Sequence, residues 1–169
     1  MRMGQRTVAL AGFAVCAGLM ATAVIYFQNV LGLEPCPLCI LQRVAVIAIG
    51  VVLLLAGLHN PRVVGRRVYG ALIVVAAGFG LAVAGRNVWL QHLPPDQVPA
   101  CGPGLDYMLQ AFPLNKAIQM VFHGSGECAE IKWTFLSFSI PEWMLLFFSG
   151  FLLFGLILLF SRRLFPRAS

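Results

Sequence analysis

Three observations predict an all-α membrane protein, a bundle of four transmembrane helices. The first is composition: of 169 residues, 60% are hydrophobic and 11% charged, against about 45–50% and about 25% in soluble domains. Too few polar side chains exist to coat a water-soluble globule of this length. The second is a set of uncharged apolar stretches of span length. The third is the segregation of basic residues to one side of those stretches. The chain carries 12 Lys and Arg against 6 Asp and Glu, a net charge of +6. Such a balance would suit nucleic acid on a soluble surface, but here the cations flank spans, so the expected partner is the lipid bilayer and no nucleic acid.

The spans are expected at about 8–30, 40–58, 68–90 and 143–160, and the whole chain, 1–169, reads as one membrane domain. The first follows basic residues, and Ala21-Thr22-Ala23 resembles a signal-peptide cleavage site, but the apolar run continues through Phe27, longer than a signal needs. The second is too short from Val44 to Leu58 to cross a ~30 Å hydrocarbon layer at ~1.5 Å per residue. It therefore takes in Ile40 to Arg43, which puts Arg43 inside or at the edge of the membrane. The third, extended to Leu90, carries Arg86, Asn87 and Trp89 near its far end. The fourth opens on Trp143.

Between the spans lie loops at about 31–39 and 91–142. In the longer one, Pro94, Pro95, Pro99, Pro103 and Pro113 exclude a continuous helix through the first half. After Pro113, Leu114, Ala117, Ile118 and Val121 fall at i, i+3, i+4 and i+7, which predicts a short amphipathic surface helix. That helix either lies on the membrane or packs on the bundle mouth.

Charge sets the orientation, because Lys and Arg near span ends stay cytoplasmic. Arg2, Arg6, Arg62, Arg66, Arg67, Arg162, Arg163 and Arg167 fall on one side. The other side holds Arg43, Arg86, Lys116 and Lys132 with all the acids. Both termini are therefore expected in the cytoplasm and both cysteine-bearing loops outside. Trp89, Trp133 and Trp143 sit near outer span ends, where indole rings favour the interface.

The orientation places Cys36, Cys39, Cys101 and Cys128 outside and leaves Cys16 in mid-span, where inert packing is expected. In a bacterial cell the outer compartment would be oxidising, so two disulfides are the expected state. Cys36-Pro37-Leu38-Cys39 opens the second span. Pro37 suits the first helical position, so Cys36 is the expected cap and Cys39 falls in the first turn, where free amides and the helix dipole favour a thiolate. Arg43 follows Cys39 at i+4 on the same face. An arginine within the membrane is a functional-site candidate, with snorkelling to the headgroups as the alternative.

A Cys-x-x-Cys disulfide closes too small a loop to stabilise much, so its usual purpose is exchange. Ile40 after Cys39 excludes c-type haem attachment, and no second Cys-x-x-Cys supports a zinc ribbon. A Cys101–Cys128 pair would stabilise its loop by roughly 3.6 kcal/mol as a plain staple. Beside a redox Cys-x-x-Cys it also reads as a mobile dithiol that trades electrons with a partner and with the first pair. Cys101 is the better partner-facing thiol of the two, because its Pro- and Gly-rich surroundings are exposed and irregular. No histidine has metal-ligand spacing.

Cys-Pro-Leu-Cys followed by Arg43, the segment Asn87-Val88-Trp89-Leu90-Gln91, and Cys101 with Cys128 before Ala129-Glu130 together resemble the disulfide bond formation protein B family, DsbB, over nearly the whole chain. The resemblance implies a thiol:quinone oxidoreductase of the bacterial inner membrane, with its active cysteines on the periplasmic side. It would reoxidise the periplasmic thioredoxin-fold dithiol oxidase DsbA and pass the electrons to ubiquinone or menaquinone. It implies that Cys101 forms the mixed disulfide with DsbA, with Cys128 as the resolving partner of Cys101, that Cys36 exchanges with that loop pair, that Cys39 faces the quinone and that Arg43 stabilises the thiolate. The family often has His at the position of Asn87. Asn87 and Gln91, at i and i+4, are the groups expected to hydrogen-bond a quinone, with contact to headgroups as the alternative.

Two other readings fit parts of the sequence. A vitamin K epoxide reductase-like enzyme also joins a four-helix bundle, a quinone and two cysteine pairs, but there the quinone-facing pair comes after the loop pair. A membrane scaffold stapled by inert disulfides explains the cysteines but gives no reason for Arg43.

Overall fold

Four helices long and apolar enough to cross a membrane are joined by two short connections and, between the third and fourth, one long segment that brings Cys128 to the end of the bundle where Cys36 and Cys39 lie. The computed structural model describes residues 4–59, 61, 63–94, 96–99 and 112–160. Helix α1 spans Gln5–Ala21 and continues without a break as a π-helical segment, Thr22–Val30. Next come α2 at Pro37–His59, α3 at Val63–Gln91, α4 at Leu114–His123 and α5 at Gly126–Ala129. A hairpin of β1 at Thr134–Phe135 and β2 at Phe138–Ser139 leads into α6, Ile140–Phe160. Among the described residues, α1 with its π segment, α2, α3 and α6 are the four candidate spans. The chain is thus a multi-pass helical membrane protein.

The core is built on helical periodicity. Ala45, Ile49 and Leu53 on α2 face Ile73, Ala77 and Ala84 on α3 and Phe148 on α6, all essentially inaccessible. Outside this stripe, Val44, Ile47, Val51 and Leu55 are exposed, as expected of side chains whose solvent is lipid. Small residues let α3 and α6 approach closely: a Cβ on Gly70 would sit 3.0 Å from the Gly155 carbonyl oxygen, and one on Gly155 would sit 3.1 Å from that of Gly70. Close backbone packing of this kind supplies dispersion contacts where no hydrophobic force acts between helices. Helix α1 packs on α2, and a groove lined by Val8, Gly12, Val15, Leu146 and Phe151 lies between α1 and α6.

Three features differ from the sequence expectation. The outer third of the first span is wound as a π-helix, a form concentrated at functional sites; at its start the Thr22 hydroxyl donates to the Gly18 carbonyl at 2.9 Å. The long loop contains α5 and the hairpin besides the expected amphipathic helix. Arg66 and Arg67 lie within α3 and not in a loop. The amphipathic helix itself is α4, and Val121, the last residue of its stripe, packs on Leu41 of α2 and Met120. This end of α4 therefore rests on the bundle mouth. Arg86 fixes it there by donating to the His123 carbonyl at 3.1 Å, as basic side chains do at helix C-termini.

Candidate functional site

The site is built on the start of α2. Pro37 has no amide hydrogen to leave unpaired at the first helical position, and Cys36 acts as the cap: its sulfur accepts the Cys39 amide at 3.3 Å and its carbonyl accepts the Ile40 amide at 3.1 Å. Cys39 therefore stands in the first turn, where the helix dipole favours a negatively charged sulfur.

Helix α5 brings in a third thiol. Gly124 turns the chain between α4 and α5 with φ +82° directly over Leu90, which a Cβ would overlap. Both the positive φ and the close approach require glycine here. Cys128, 2% exposed, then packs in one cluster with Cys36, Leu38, Val83 and Leu90. Its thiol lies beside Cys36 in that cluster, and Cys36 Sγ donates to Cys39 Sγ at 2.7 Å. The sulfurs thus form a series from Cys128 through Cys36 to Cys39, with the structure recording all three as free thiols.

Asn87 on α3 closes the site from the opposite helix. It is 1% exposed, and its Nδ2 donates to Cys39 Sγ at 3.6 Å and to Cys36 Sγ at 3.8 Å. For Cys36, the hydrogen bond from Cys128 pulls the pKa down, while its own bond to Cys39 and burial push it up by more, to about 12. Giving its hydrogen bond to Cys36, together with burial, holds Cys128 far above the ordinary thiol range.

A cavity of about 340 Å³ adjoins the sulfurs and is lined by Cys36, Cys39, Cys128, Gln42, Arg43, Asn87 and Gln91 together with apolar residues of the π segment and of α6. Half-buried Arg43 spans from α2 to the first span, donating through Nη2 to the Ala23 carbonyl at 3.1 Å and through Nη1 to Gln28 Oε1 at 2.9 Å. Its cation is held beside the cavity, one turn deeper than Cys39. Gln91 accepts the Ser139 hydroxyl at 2.8 Å, tying α3 to the hairpin.

The structure thus brings together six residues singled out in the sequence: Cys36, Cys39, Cys128, Arg43, Asn87 and Gln91. The seventh, Cys101, lies outside the described residues, while Cys128, its expected partner, is a free thiol. Cys16 is apart from the site, buried in the bundle against Gly50.

Sequence reasoning passed over Gln42. It is 3% exposed and lines the cavity, and its Nε2 has no hydrogen-bond partner; Asn87 Oδ1, on the same cavity, has none either. A buried polar atom left unpaired costs about 1–3 kcal/mol, so an orphan donor and an orphan acceptor on one cavity point to a ligand offering both kinds of partner. The available signal was a lone amide inside an apolar span at i+3 from Cys39.

A sequence profile of the family described as "Disulfide bond formation protein DsbB" matches residues 5–158. Similar proteins called "Disulfide bond formation protein B" include one from Marinobacter nauticus, 56% identical over 92% of this chain and 91% of its own length. The one from Nitrosococcus oceani is 54% identical over 95% of this chain and 93% of its own length. That from Acinetobacter baumannii is 50% identical over 98% and 96%.

Proposed function

Because this chain belongs to the disulfide bond formation protein B family, we propose that it is a thiol:quinone oxidoreductase of the bacterial inner membrane. In this reading its cysteines face the periplasm, where it reoxidises the dithiol oxidase DsbA and delivers the electrons to ubiquinone or menaquinone. The observation that carries the proposal is the sulfur series Cys128, Cys36, Cys39 ending at a cavity between membrane-spanning helices.

Thiol–disulfide exchange accounts for each step. A DsbA thiolate attacks Cys101 of a Cys101–Cys128 disulfide and releases Cys128. The second DsbA thiol resolves the mixed disulfide, leaving DsbA oxidised and Cys101 and Cys128 reduced. Cys128 then attacks Cys36 of the Cys36–Cys39 disulfide and releases Cys39 as thiolate. Cys101 attacks Cys128 in turn, which frees Cys36 and restores the loop disulfide. Two electrons now reside on Cys36 and Cys39, and re-forming their disulfide gives up two electrons and two protons.

A quinone is the acceptor class that takes both and becomes a quinol. The cavity fits such a head group in volume and in its orphan atoms: Gln42 Nε2 can donate to a ring carbonyl, and Asn87 Oδ1 can accept from a hydroxyl. Arg43 supplies positive charge where the Cys39 thiolate and developing negative charge on a ring oxygen need it. The lining residues Phe27, Phe147 and Trp143 give the cavity apolar walls.

The test mixes purified protein with reduced DsbA and a soluble ubiquinone analogue, following quinone absorbance and thiol content. The expected result is one quinone reduced per dithiol oxidised, lost in Cys39→Ala. Oxidation of DsbA without quinone reduction would overturn the quinone step, and neither event would overturn the whole reading.

A further inference from the structure

The hairpin before α6 combines unfavourable backbone with unfavourable exposure. Thr134 pairs with Ser139 and Phe135 with Phe138, so the turn consists of Leu136 at φ +52° and Ser137 at φ +68°. A two-residue turn with both φ values positive normally takes Asn-Gly or Asp-Gly, and an L-residue in this region costs roughly 1–2 kcal/mol. Leucine at this position gains nothing from the protein in return, because it is 70% exposed at the tip; Phe135 and Phe138 beside it are 53% and 47% exposed. Strain that persists without a packing reason is a pointer to function.

The surroundings identify what covers this tip. From Trp133 to Pro141 there is no charged residue, and the strand β2 runs directly into α6, a membrane span. Trp133 stacks on Phe135 with ring centroids 6.0 Å apart, and Trp143 meets Phe135 and Phe138 at 6.1 and 5.8 Å. Phe27 of the π segment meets Trp133 edge-on at 4.8 Å. The Trp143 indole donates to the Phe135 carbonyl at 3.1 Å, and Glu142 accepts the Ser139 amide at 2.6 Å. The Glu142 contact caps α6 while the ring ladder and the Trp143 bond lock the hairpin to its first turn. Aromatic residues in this arrangement suit the bilayer interface, with ring faces in the acyl region and polar tips at the headgroups.

We propose that the Thr134–Ser139 hairpin is a membrane-seated wedge, with Leu136, Phe135 and Phe138 buried among phospholipid acyl chains at the cysteine-bearing end of the bundle. The apolar surface of α6 continues into the hairpin, so one lipid contact covers both. The segment is then part of the membrane face and not of an aqueous loop. Trp133, Phe135 and Trp143 also wall the cavity beside Cys39, so the wedge turns the mouth of that cavity toward lipid.

The test uses the full chain with leucine-methyl labels in phosphatidylcholine–phosphatidylglycerol nanodiscs. The Leu136 methyl resonance is assigned by its loss in Leu136→Val. Doxyl-labelled phosphatidylcholine should broaden that signal as strongly as those of Leu146 and Leu153, which are exposed on α6, and a water-soluble gadolinium chelate should leave it sharp. Broadening by the chelate without broadening by the doxyl lipid would overturn the proposal. So would a signal that is solvent-exposed in the nanodisc and becomes protected only when reduced DsbA is added, since the tip would then be a protein-docking surface. A second readout covers the turn: Leu136→Gly, which the φ values accept without strain, should keep or raise the thermal midpoint in detergent. A fall in that midpoint would show that Leu136 serves the fold and not the lipid.

Discussion

Asn87 on α3 holds its side-chain amide 3.6 Å from the Cys39 sulfur on α2. A neutral donor at that position can stabilise a thiolate without forming an ion pair that would hold it back. Asn87→Ala removes a hydrogen bond to a charged group, about 1.5–3 kcal/mol, and should lower kcat for quinone reduction by about 10- to 100-fold. Asn87→Asp places a carboxylate against the sulfurs and should lower it further. Single-turnover oxidation of the reduced protein by a quinone analogue measures both, and equal rates for Asp and Asn would refute the donor role.

Arg43 joins the cavity to the π segment through Ala23 and Gln28. Arg43→Ala should therefore weaken quinone use by tenfold or more in kcat/KM, at about 1.5–3 kcal/mol for charge-assisted hydrogen bonds, with little change in KM for DsbA. Arg43→Lys keeps the charge but lacks the planar fork and should fall between. Steady-state kinetics with each substrate varied separately checks this, and an unchanged quinone kcat/KM in Arg43→Ala would refute it.

Thiol reactivity follows the pKa shifts. Cys36 is raised from an ordinary 9.0 to about 12, so below that value the reactive thiolate is the minor form and its fraction rises tenfold per pH unit. In the reduced protein, alkylation of Cys36 should be slow near neutrality and still increasing at pH values where exposed thiols have levelled off. Cys128→Ala removes the hydrogen bond that lowers the Cys36 pKa, so the Cys36 profile should move to still higher pH. Mass-resolved alkylation rates against pH test the sign, and a shift to lower pH in Cys128→Ala would contradict it.

The spans were legible in the sequence because lipid imposes length and apolarity on each segment independently of its neighbours. The Cys36 cap was legible because Pro37 and the motif spacing fix it locally. That the loop pair meets Cys36 was expected from its redox reading and from the family resemblance, but the geometry that packs Cys128 there was not, since it depends on Gly124 crossing Leu90, a contact between segments far apart in sequence. The hairpin was missed because Leu136-Ser137 lacks the Asn-Gly or Asp-Gly signal of its turn. The π winding of Thr22–Val30 has no marker in an apolar run, and Ala23 and Gln28 were therefore unseen as partners of Arg43.

The α3–α6 seam depends on absent side chains. A Cβ on Gly80 would overlap the ring of Phe148, which is fully buried, whereas a Cβ on Gly78 meets nothing within 4 Å. Gly80→Ala should destabilise the bundle by about 1–3 kcal/mol through overpacking, and Gly78→Ala should be neutral or slightly stabilising through helix propensity. Thermal unfolding in one detergent compares them, and equal midpoints would show that Phe148 yields.

Gln42 separates ligand binding from folding. Its Nε2 is buried with no partner in the protein, so Gln42→Leu removes an unsatisfied polar group of similar size and should leave the thermal midpoint unchanged or higher. If that amide donates to a quinone carbonyl, the same substitution removes one hydrogen bond, about 0.5–1.5 kcal/mol, and should raise the quinone KM by about 2- to 12-fold. The KM for DsbA should not move, because Gln42 lies below the sulfur series on the cavity side. A stabilised variant with weakened quinone use would identify Gln42 as a binding residue kept at the expense of stability. An unchanged quinone KM would show that the orphan amide serves no ligand, and a fall in the thermal midpoint would show that it serves the fold instead.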